Sequence, residues 1–380
     1  MRLGIYTLFL TPGQIGGIET YVRQLVHSLA QADRQNSYTV FVTDANRGLF
    51  ANLPDNFRLA QISLLPPGPF VVARLLHKLG WLPAYAARQM QRRPLDVLHY
   101  PGSTIDQPSI QIPCVLTLHD IQHEYYPEFF DPATLRWRQT QYAASAQQAR
   151  QVITVSEFTR QSIIQTYNVP PRKISAIYHG IDPIFEPAST SALNAMRRKY
   201  GLPEQFLFYP ANAWPHKNHE RLFQALVRLK QQYNFKCRLL LTGVWSGEDR
   251  LKQLIRHYEL ADQVQLTAYL PYNDLPALYA GATALVFPSL FEGFGLPALE
   301  AMACGCPVIC SNASALPEVC GDAALYFDPL DIAQIADAIY TICHSQSLRQ
   351  SLSDKGRVRA KLFSWEQAAS QTLERYQRSI

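Results

Sequence analysis

The sequence predicts an α/β protein built from two doubly wound, parallel-sheet domains that face a central cleft. Three observations carry that expectation. The chain has 380 residues, 47% hydrophobic and 17% charged, which is long and apolar enough for two cores. Short apolar runs alternate with amphipathic stretches of helical period along nearly its whole length. The alternation pauses at a Pro- and Gly-rich segment, H-G-I-D-P-I-F-E-P at His179–Pro187, and restarts at Phe206.

In the first half, strands are expected over Leu3–Leu10, Tyr38–Thr43, Val97–Tyr100, Val115–Leu118, Val152–Val155 and Ser175–Tyr178. Helices are expected over Ile18–Ala30, Phe70–Arg92, Thr134–Ala149 and Glu157–Tyr167. The opening run reads as a core strand and not a signal peptide, because it is short and Thr11, Pro12 and Gly13 follow without a small-residue cleavage site. The second half carries strand patterns at Phe206–Tyr209, Arg238–Thr242, Val264–Thr267, Ala284–Phe287, Val308–Cys310 and Leu325–Phe327. Its helices are expected at His219–Gln231, Glu248–Tyr258, Leu275–Ala280, Leu296–Cys304 and Ile332–His344. A tryptophan-led helix, Ser364–Arg378, closes the chain, with Ser364 as N-cap and Glu366 and Gln367 in its first turn.

Charge and cysteine content exclude several classes. The net charge of +5 is concentrated in the N-terminal half and is too small for a nucleic-acid footprint. It suits anionic ligands or an anionic membrane surface. No stretch reaches the ~18 apolar residues of a membrane span. The seven cysteines are an odd count in apolar contexts, and Cys304, Cys306 and Cys310 lack the paired spacing of zinc sites. They read as buried, reduced thiols of a cytoplasmic protein, and no metal is expected.

The block F-P-S-L-F-E-G-F-G-L-P-A-L-E, Phe287–Glu300, is the most informative stretch. A buried strand, a glycine turn at Gly293 and Gly295, and a helix with Pro297 in its first turn bring backbone N–H groups toward an anion. Glu292 precedes the helix and Glu300 sits in its second turn. Carboxylates are poor phosphate ligands, so their targets are hydroxyls, and phosphate with polyol in one site points to a nucleotide sugar.

Four other segments carry weaker signals. Gly16 and Gly17 precede the first helix, either to let a ligand approach its positive end or as an ordinary turn. His119 and Asp120 end a buried strand and so point into the cleft or serve structure; His123 and Glu124 follow in a segment expected to be loop, which disfavours a metal. Lys217, in F-Y-P-A-N-A-W-P-H-K-N-H, precedes a helix near Asn218, where an ammonium opposes the dipole unless an anion lies between. Otherwise it is a solvated lysine. Residues 70–93 carry Arg74, Lys78, Arg88, Arg92 and Arg93 with Trp81 and Tyr85, and read either as a peripheral membrane or lipid-phosphate contact or as a solvated helix face.

Taken in order, G-G-I-E-T-Y at Gly16–Tyr21, V-S-E-F-T at Val155–Thr159, H-G-I-D at His179–Asp182, H-K-N at His216–Asn218 and E-G-F-G-L-P-A-L-E followed by A-M-A-C-G-C-P-V-I resemble the retaining glycosyltransferases of the family-4 type, group 1, with the GT-B fold. The last block is the most specific, and the resemblance covers nearly the whole chain. It implies an acceptor-side domain over 1–183, a nucleotide-sugar-binding domain over 184–360, and a C-terminal helix over 361–380 that crosses back to the N-terminal domain. It also implies that Glu300 binds the ribose and that Glu292 contacts the donor sugar or the reacting face. The backbone of Gly293, Phe294, Gly295 and Leu296 would lie near sugar hydroxyls and phosphate. Lys217 would neutralise the leaving diphosphate, and His119 would hydrogen-bond the donor sugar. Gly16 and Gly17 would border the phosphate and acceptor, with Glu19 and Asp120 on the acceptor side. Many relatives carry an arginine shortly before the lysine; residues 206–216 here hold no Arg or Lys, leaving Asn212 and His216 as the nearby polar groups.

The Y-P-A-N-A-W-P-H-K-N-H form is similar to that of bacterial mannosyltransferases of polysaccharide assembly. This implies a hexosyltransferase that uses GDP-mannose and a glycan or lipid-linked acceptor, with no cofactor beyond the nucleotide-sugar co-substrate. The expected location is cytoplasmic or peripheral on the inner membrane face. A UDP-sugar donor, a sugar-nucleotide epimerase and a catalytically silent nucleotide-sugar-binding protein are the alternatives. An NAD-dependent oxidoreductase is disfavoured by the missing G-x-G-x-x-G.

Overall fold

A computed structural model describes residues 1–13, 16–63, 81–106, 110–243, 248–267 and 270–380. The chain forms two compact units: residues 1–180 with 365–380, and residues 181–364.

The first unit holds β1 (Arg2–Tyr6), β2 (Ser37–Val42), β3 (Phe57–Gln61), β4 (Val97–Tyr100), β5 (Cys114–Leu118), β6 (Gln151–Thr154) and β7 (Ile174–Ala176). They form one sheet in the order β3-β2-β1-β4-β5-β6-β7, every pair parallel. Its helices are α1 (Gly17–Ala32), α2 (Trp81–Gln91), α3 (Gln122–Tyr125), α4 (Pro132–Gln148) and α5 (Glu157–Tyr167). Side chains alternate across the pleat, so successive residues feed opposite cores. Leu3, Ile5, Val40, Val97, Val115 and Ile153 join the core that holds Val22, Leu25 and Leu29 of α1. Tyr6, Phe41, Leu98, Tyr100, Leu116 and Val152 face the other, with Ala86, Met90, Ala146 and Ile163. The C-terminal helix, Trp365–Gln377, packs on α1 and puts Trp365, Ala369 and Tyr376 into the first of these cores.

The second unit holds β8 (Leu207–Pro210), β9 (Leu239–Thr242), β10 (Val264–Thr267), β11 (Ala284–Phe287), β12 (Val308–Ser311) and β13 (Ala324–Phe327), in the order β10-β9-β8-β11-β12-β13 and again all parallel. Its helices are α6 (Thr190–Tyr200), α7 (His219–Tyr233), α8 (Glu248–His257), α9 (Leu275–Gly281), α10 (Leu296–Ala303), α11 (Leu316–Cys320), α12 (Ile332–His344) and α13 (Gln346–Ala360). Both sheets reverse strand order beside their first strand, between β1 and β4 and between β8 and β11. At such switch points the loops after the strands part and open a crevice.

Several elements differ from expectation. β1 ends at Tyr6 and not Leu10, because Leu10 N–H turns back to the Thr7 carbonyl at 3.0 Å. β3 was not expected: it is a short edge strand whose Arg58 and Gln61 face solvent, so it lacks an apolar run. α6 buries no residue and α13 only Leu352, Gly356 and Ala360, so neither shows an apolar stripe. The stretch after Asp120 was expected to be loop and contains α3. The second unit starts at Ile181 and ends at Ser364, whereas domain limits were placed after Pro183 and Ala360. Ile181 N–H donates to the Phe363 carbonyl at 3.3 Å and ties these two passages together within that unit. Of the basic segment 70–93, residues 70–80 lie outside the described residues; Arg88, Arg92 and Arg93 are exposed. Among the described residues no helix is long and apolar enough to cross a membrane, and no group of three or more His, Cys, Asp or Glu side chains could hold a metal. Five of the seven cysteines are buried, and all are free thiols.

Candidate functional site

The second unit places its chemistry at the β8/β11 switch point. Lys217 lies on the loop after β8 and Glu292 on the loop after β11. Lys217 Nζ donates to Glu292 Oε1 at 2.7 Å, with side chains 16% and 13% exposed. The anion that the helix-proximal ammonium requires is therefore supplied by the chain itself. Both partners are held from below. Tyr209 Oη donates to the Lys217 carbonyl at 2.9 Å, and Leu290 N–H donates to the His216 carbonyl at 2.7 Å. Glu292 N–H donates to Ser314 Oγ at 2.8 Å. Asn218 adopts φ 59° before α7 and donates to the carbonyls of Pro288 and Pro329, which welds the lysine loop to two others. Burial first, and then the Glu292 charge, hold Tyr209 well above the ordinary phenol range, so it stays a donor.

Asn212 follows β8 on the lysine loop. Its Oδ1 is buried and has no hydrogen-bond partner among the described residues. A buried unmatched carbonyl is costly, and an amide or hydroxyl of a ligand would satisfy it.

Gly295 caps α10 at φ +108°, a conformation open to glycine. A Cβ there would stand 2.6 Å from Leu316 Cδ2. Replacing Gly295 by Ala should therefore cost about 2–3 kcal/mol through backbone strain and overpacking, measured as a lower urea midpoint. An unchanged midpoint would show that the turn is not strained. Leu296 opens the helix and Pro297 brings no N–H, so the backbone of Gly295 and Leu296 forms its positive end. Gly293 is half-buried, while Phe294 is buried with its ring edge-on to Phe363 at 5.8 Å. Phe294 can serve a ligand only through its backbone.

Glu300 is buried in α10 and accepts from Tyr279 Oη at 2.7 Å. Burial pushes its carboxyl up to about 8; the Tyr279 hydrogen bond opposes that rise and the Asp182 charge adds to it. A plain carboxylate was expected here, and the structure places a carboxylic acid at neutral pH.

In the first unit, Gly16 caps α1 at φ 60°, ψ −124°, and among the described residues a Cβ at Gly16 or Gly17 would meet nothing within 4 Å. Both are exposed after β1, where a ligand could approach the backbone. Glu19 has a local duty: its Oε2 accepts from Gly13 N–H at 2.7 Å and fixes the loop. Asp120 likewise accepts from Gln122 N–H at 3.0 Å and opens α3. His119 directly follows β5, and its Nε2 lies 2.8 Å from the Pro101 carbonyl. A carbonyl only accepts, so Nε2 carries the proton. Burial holds the ring's pKa below the usual histidine value, which leaves Nδ1 as an acceptor suited to a hydroxyl. His123 turns elsewhere, with Nε2 3.0 Å from Tyr167 Oη, so the two histidines do not form a ligand pair.

The structure thus joins Lys217 to Glu292 directly and sets Gly295, Leu296 and Glu300 on the helix that follows. Sequence reading missed Tyr209, Tyr279, Asn218 and Ser314. Tyr209 and Asn218 stood inside the Y-P-A-N-A-W-P-H-K-N-H block without a role of their own; Tyr279 reaches the site from α9 and Ser314 from the loop after β12.

Two family models match the chain, Glycosyltransferase Family 4 over residues 15–185 and Glycosyl transferases group 1 over residues 194–359. The O-antigen chain mannosyltransferase B of Escherichia coli is 34% identical over 300 residues, covering 77% of this chain and 79% of that one. The chain belongs to the group 1 glycosyltransferases. The O-antigen chain mannosyltransferase RfbU of Salmonella typhimurium is 33% identical over 60% of each chain. Among solved structures, sucrose-phosphate synthase from Thermosynechococcus elongatus superposes with a TM-score of 0.77 at 23% identity, covering 99% of this chain and 98% of that one. Anabaena HepE in complex with UDP and glucose matches at 0.77 and 20% identity, over 98% of each. These two show the fold, which is GT-B with Rossmann-like units of seven and six strands. This glycosyltransferase is an enzyme, and its mannosyltransferase relatives are hexosyltransferases.

Proposed function

We propose that this glycosyltransferase moves mannose from GDP-mannose, with retention at the anomeric carbon, to a hydroxyl of a glycan or lipid-linked acceptor in polysaccharide assembly. The Lys217–Glu292 pair beside the α10 N-terminus carries the reading: a cation and a helix end for a diphosphate, with a carboxylate for sugar hydroxyls. The named mannosyltransferase relatives support the sugar.

The donor belongs to the second unit. Lys217 and the α10 N-terminus take the diphosphate, Glu292 the hexose, Glu300 the ribose, and Asn212 a donor N–H or O–H. The bond from the anomeric carbon to the β-phosphate oxygen breaks and negative charge gathers on that oxygen. Lys217 and the oriented N–H groups stabilise it, and one such donor is worth about 3 kcal/mol. The acceptor oxygen bonds to the anomeric carbon on the face the phosphate leaves, and its proton passes to the departing phosphate. His119 offers Nδ1 to a sugar hydroxyl, and Gly16, Gly17, Glu19 and Asp120 border the acceptor. Exposed Arg88, Arg92 and Arg93 suit contact with an anionic membrane surface. No step calls on a metal.

Thermal stabilisation by GDP, UDP, ADP, GDP-mannose, UDP-glucose and UDP-N-acetylglucosamine tests the donor. A ligand at a hundred times its Kd stabilises by about 2.7 kcal/mol. Selective shifts with GDP and GDP-mannose are expected. A uridine-selective shift would replace the donor, and no shift with any of them would remove the donor-site reading.

A further inference from the structure

The Lys217 ammonium and the Glu292 carboxylate meet at 2.7 Å in a site largely closed to water. The backbone that carries each of them is pinned. The Lys217 carbonyl is held by Tyr209 Oη, the preceding carbonyl of His216 by Leu290 N–H, and the Glu292 N–H by Ser314 Oγ. Ser314 is itself fixed at φ 53°. A diphosphate that approaches Lys217 must compete with Glu292 for one compact cation. If it shares that cation, two anions stand side by side where water screens them little. A bare nucleoside diphosphate gives Glu292 nothing in return: it brings negative charge and no hydroxyl to where the sugar would lie. An intact sugar nucleotide brings O–H donors that turn the displaced carboxylate into a satisfied acceptor.

We propose that the Lys217–Glu292 pair is a selectivity device that makes the affinity of Lys217 for a diphosphate conditional on an attached sugar. Glu292 raises the affinity for the donor and lowers that for the spent nucleoside diphosphate, which hastens its release. This rests on the reading of Lys217 as the diphosphate ligand.

Calorimetric titration of GDP and GDP-mannose, or of UDP and UDP-glucose where the thermal panel selects uridine, tests it on the whole chain. Glu292→Gln is expected to bind the bare diphosphate about tenfold tighter, because a like charge has been removed. It should bind the sugar nucleotide about tenfold more weakly, because a charged acceptor for hydroxyls has been lost. Glu292→Asp keeps the charge on a shorter arm that falls back from Lys217, and should tighten the bare diphosphate as well. Lys217→Ala should weaken both ligands. Unchanged or weaker diphosphate binding by Glu292→Gln, with Lys217→Ala still impaired, would overturn the device and leave the donor site standing. Tightening by Gln but not by Asp would reduce the effect to general charge and overturn the contact. If Lys217→Ala binds both ligands normally, the donor-site reading falls and the device with it.

Discussion

Replacing Glu300 by Gln is expected to raise the melting temperature of the C-terminal unit at pH 8 while weakening nucleotide binding. The cause is a buried carboxyl whose folded value stands at about 8 against an ordinary 4.5. Between those values the folded protein holds a proton that the unfolded chain has released. The contribution of this group is therefore most favourable below pH 4.5, falls as the pH rises through the window, and is fully lost above pH 8. The loss approaches about 5 kcal/mol at its upper bound, at ~1.36 kcal/mol per unit. A domain of this size gains roughly 2–4 °C per kcal/mol. Gln keeps the shape and the acceptor for Tyr279 Oη without the ionisable proton. The gap in melting temperature between variant and wild type should open from pH 5 to pH 8, read by calorimetry across buffers. A constant gap would show that Glu300 is already ionised at pH 5. A ribose diol donates to a carboxylate better than to an acid, so wild-type donor affinity should climb over the same range and that of Glu300→Gln should stay level.

Lys217→Ala carries the largest expected effect on turnover. Removing the side-chain cation paired with Glu292 takes away stabilisation that grows as the phosphate leaves, so kcat should fall about 10²- to 10³-fold. The change in KM should be smaller. The same substitution leaves Glu292 without its cation at low exposure, at a cost in stability of about 1–3 kcal/mol, less than for a fully buried pair. The double substitution Lys217→Ala with Glu292→Gln separates the two consequences. It should restore the melting temperature and leave turnover depressed. Full turnover in the single variant would dismiss Lys217 from the chemistry.

Much of the frame was legible because parallel α/β units write their cores as short apolar runs. Leu98, Leu116, Val152 and Ile153 lie in strands buried on both faces, and such strands are hard to mistake when helices flank them. The edge strand β3 and the solvated helices α6 and α13 were not legible, since they bury too little to leave a periodic trace. The site divides the same way. Gly293, Gly295, Pro297 and Glu300 stand in one continuous strand–turn–helix, and local backbone rules tie them together. Tyr279, Tyr209 and Ser314 come from other elements, and only packing brings them to Glu300, Lys217 and Glu292.

By itself the sequence determined the class of fold, the glycine turn that opens α10, and the residue types able to meet a phosphate and a polyol, because each depends on neighbours within about one helical turn or one strand. Tertiary structure alone decided that Lys217 is paired with Glu292 and that Glu300 is an acid at neutral pH. Both are long-range effects, whereas Glu19 and Asp120 spend their carboxylates on backbone N–H groups six and two residues away. Charge state and pairing depend on which distant atoms displace water from a group, and that is set only when strands far apart in the chain close into one sheet.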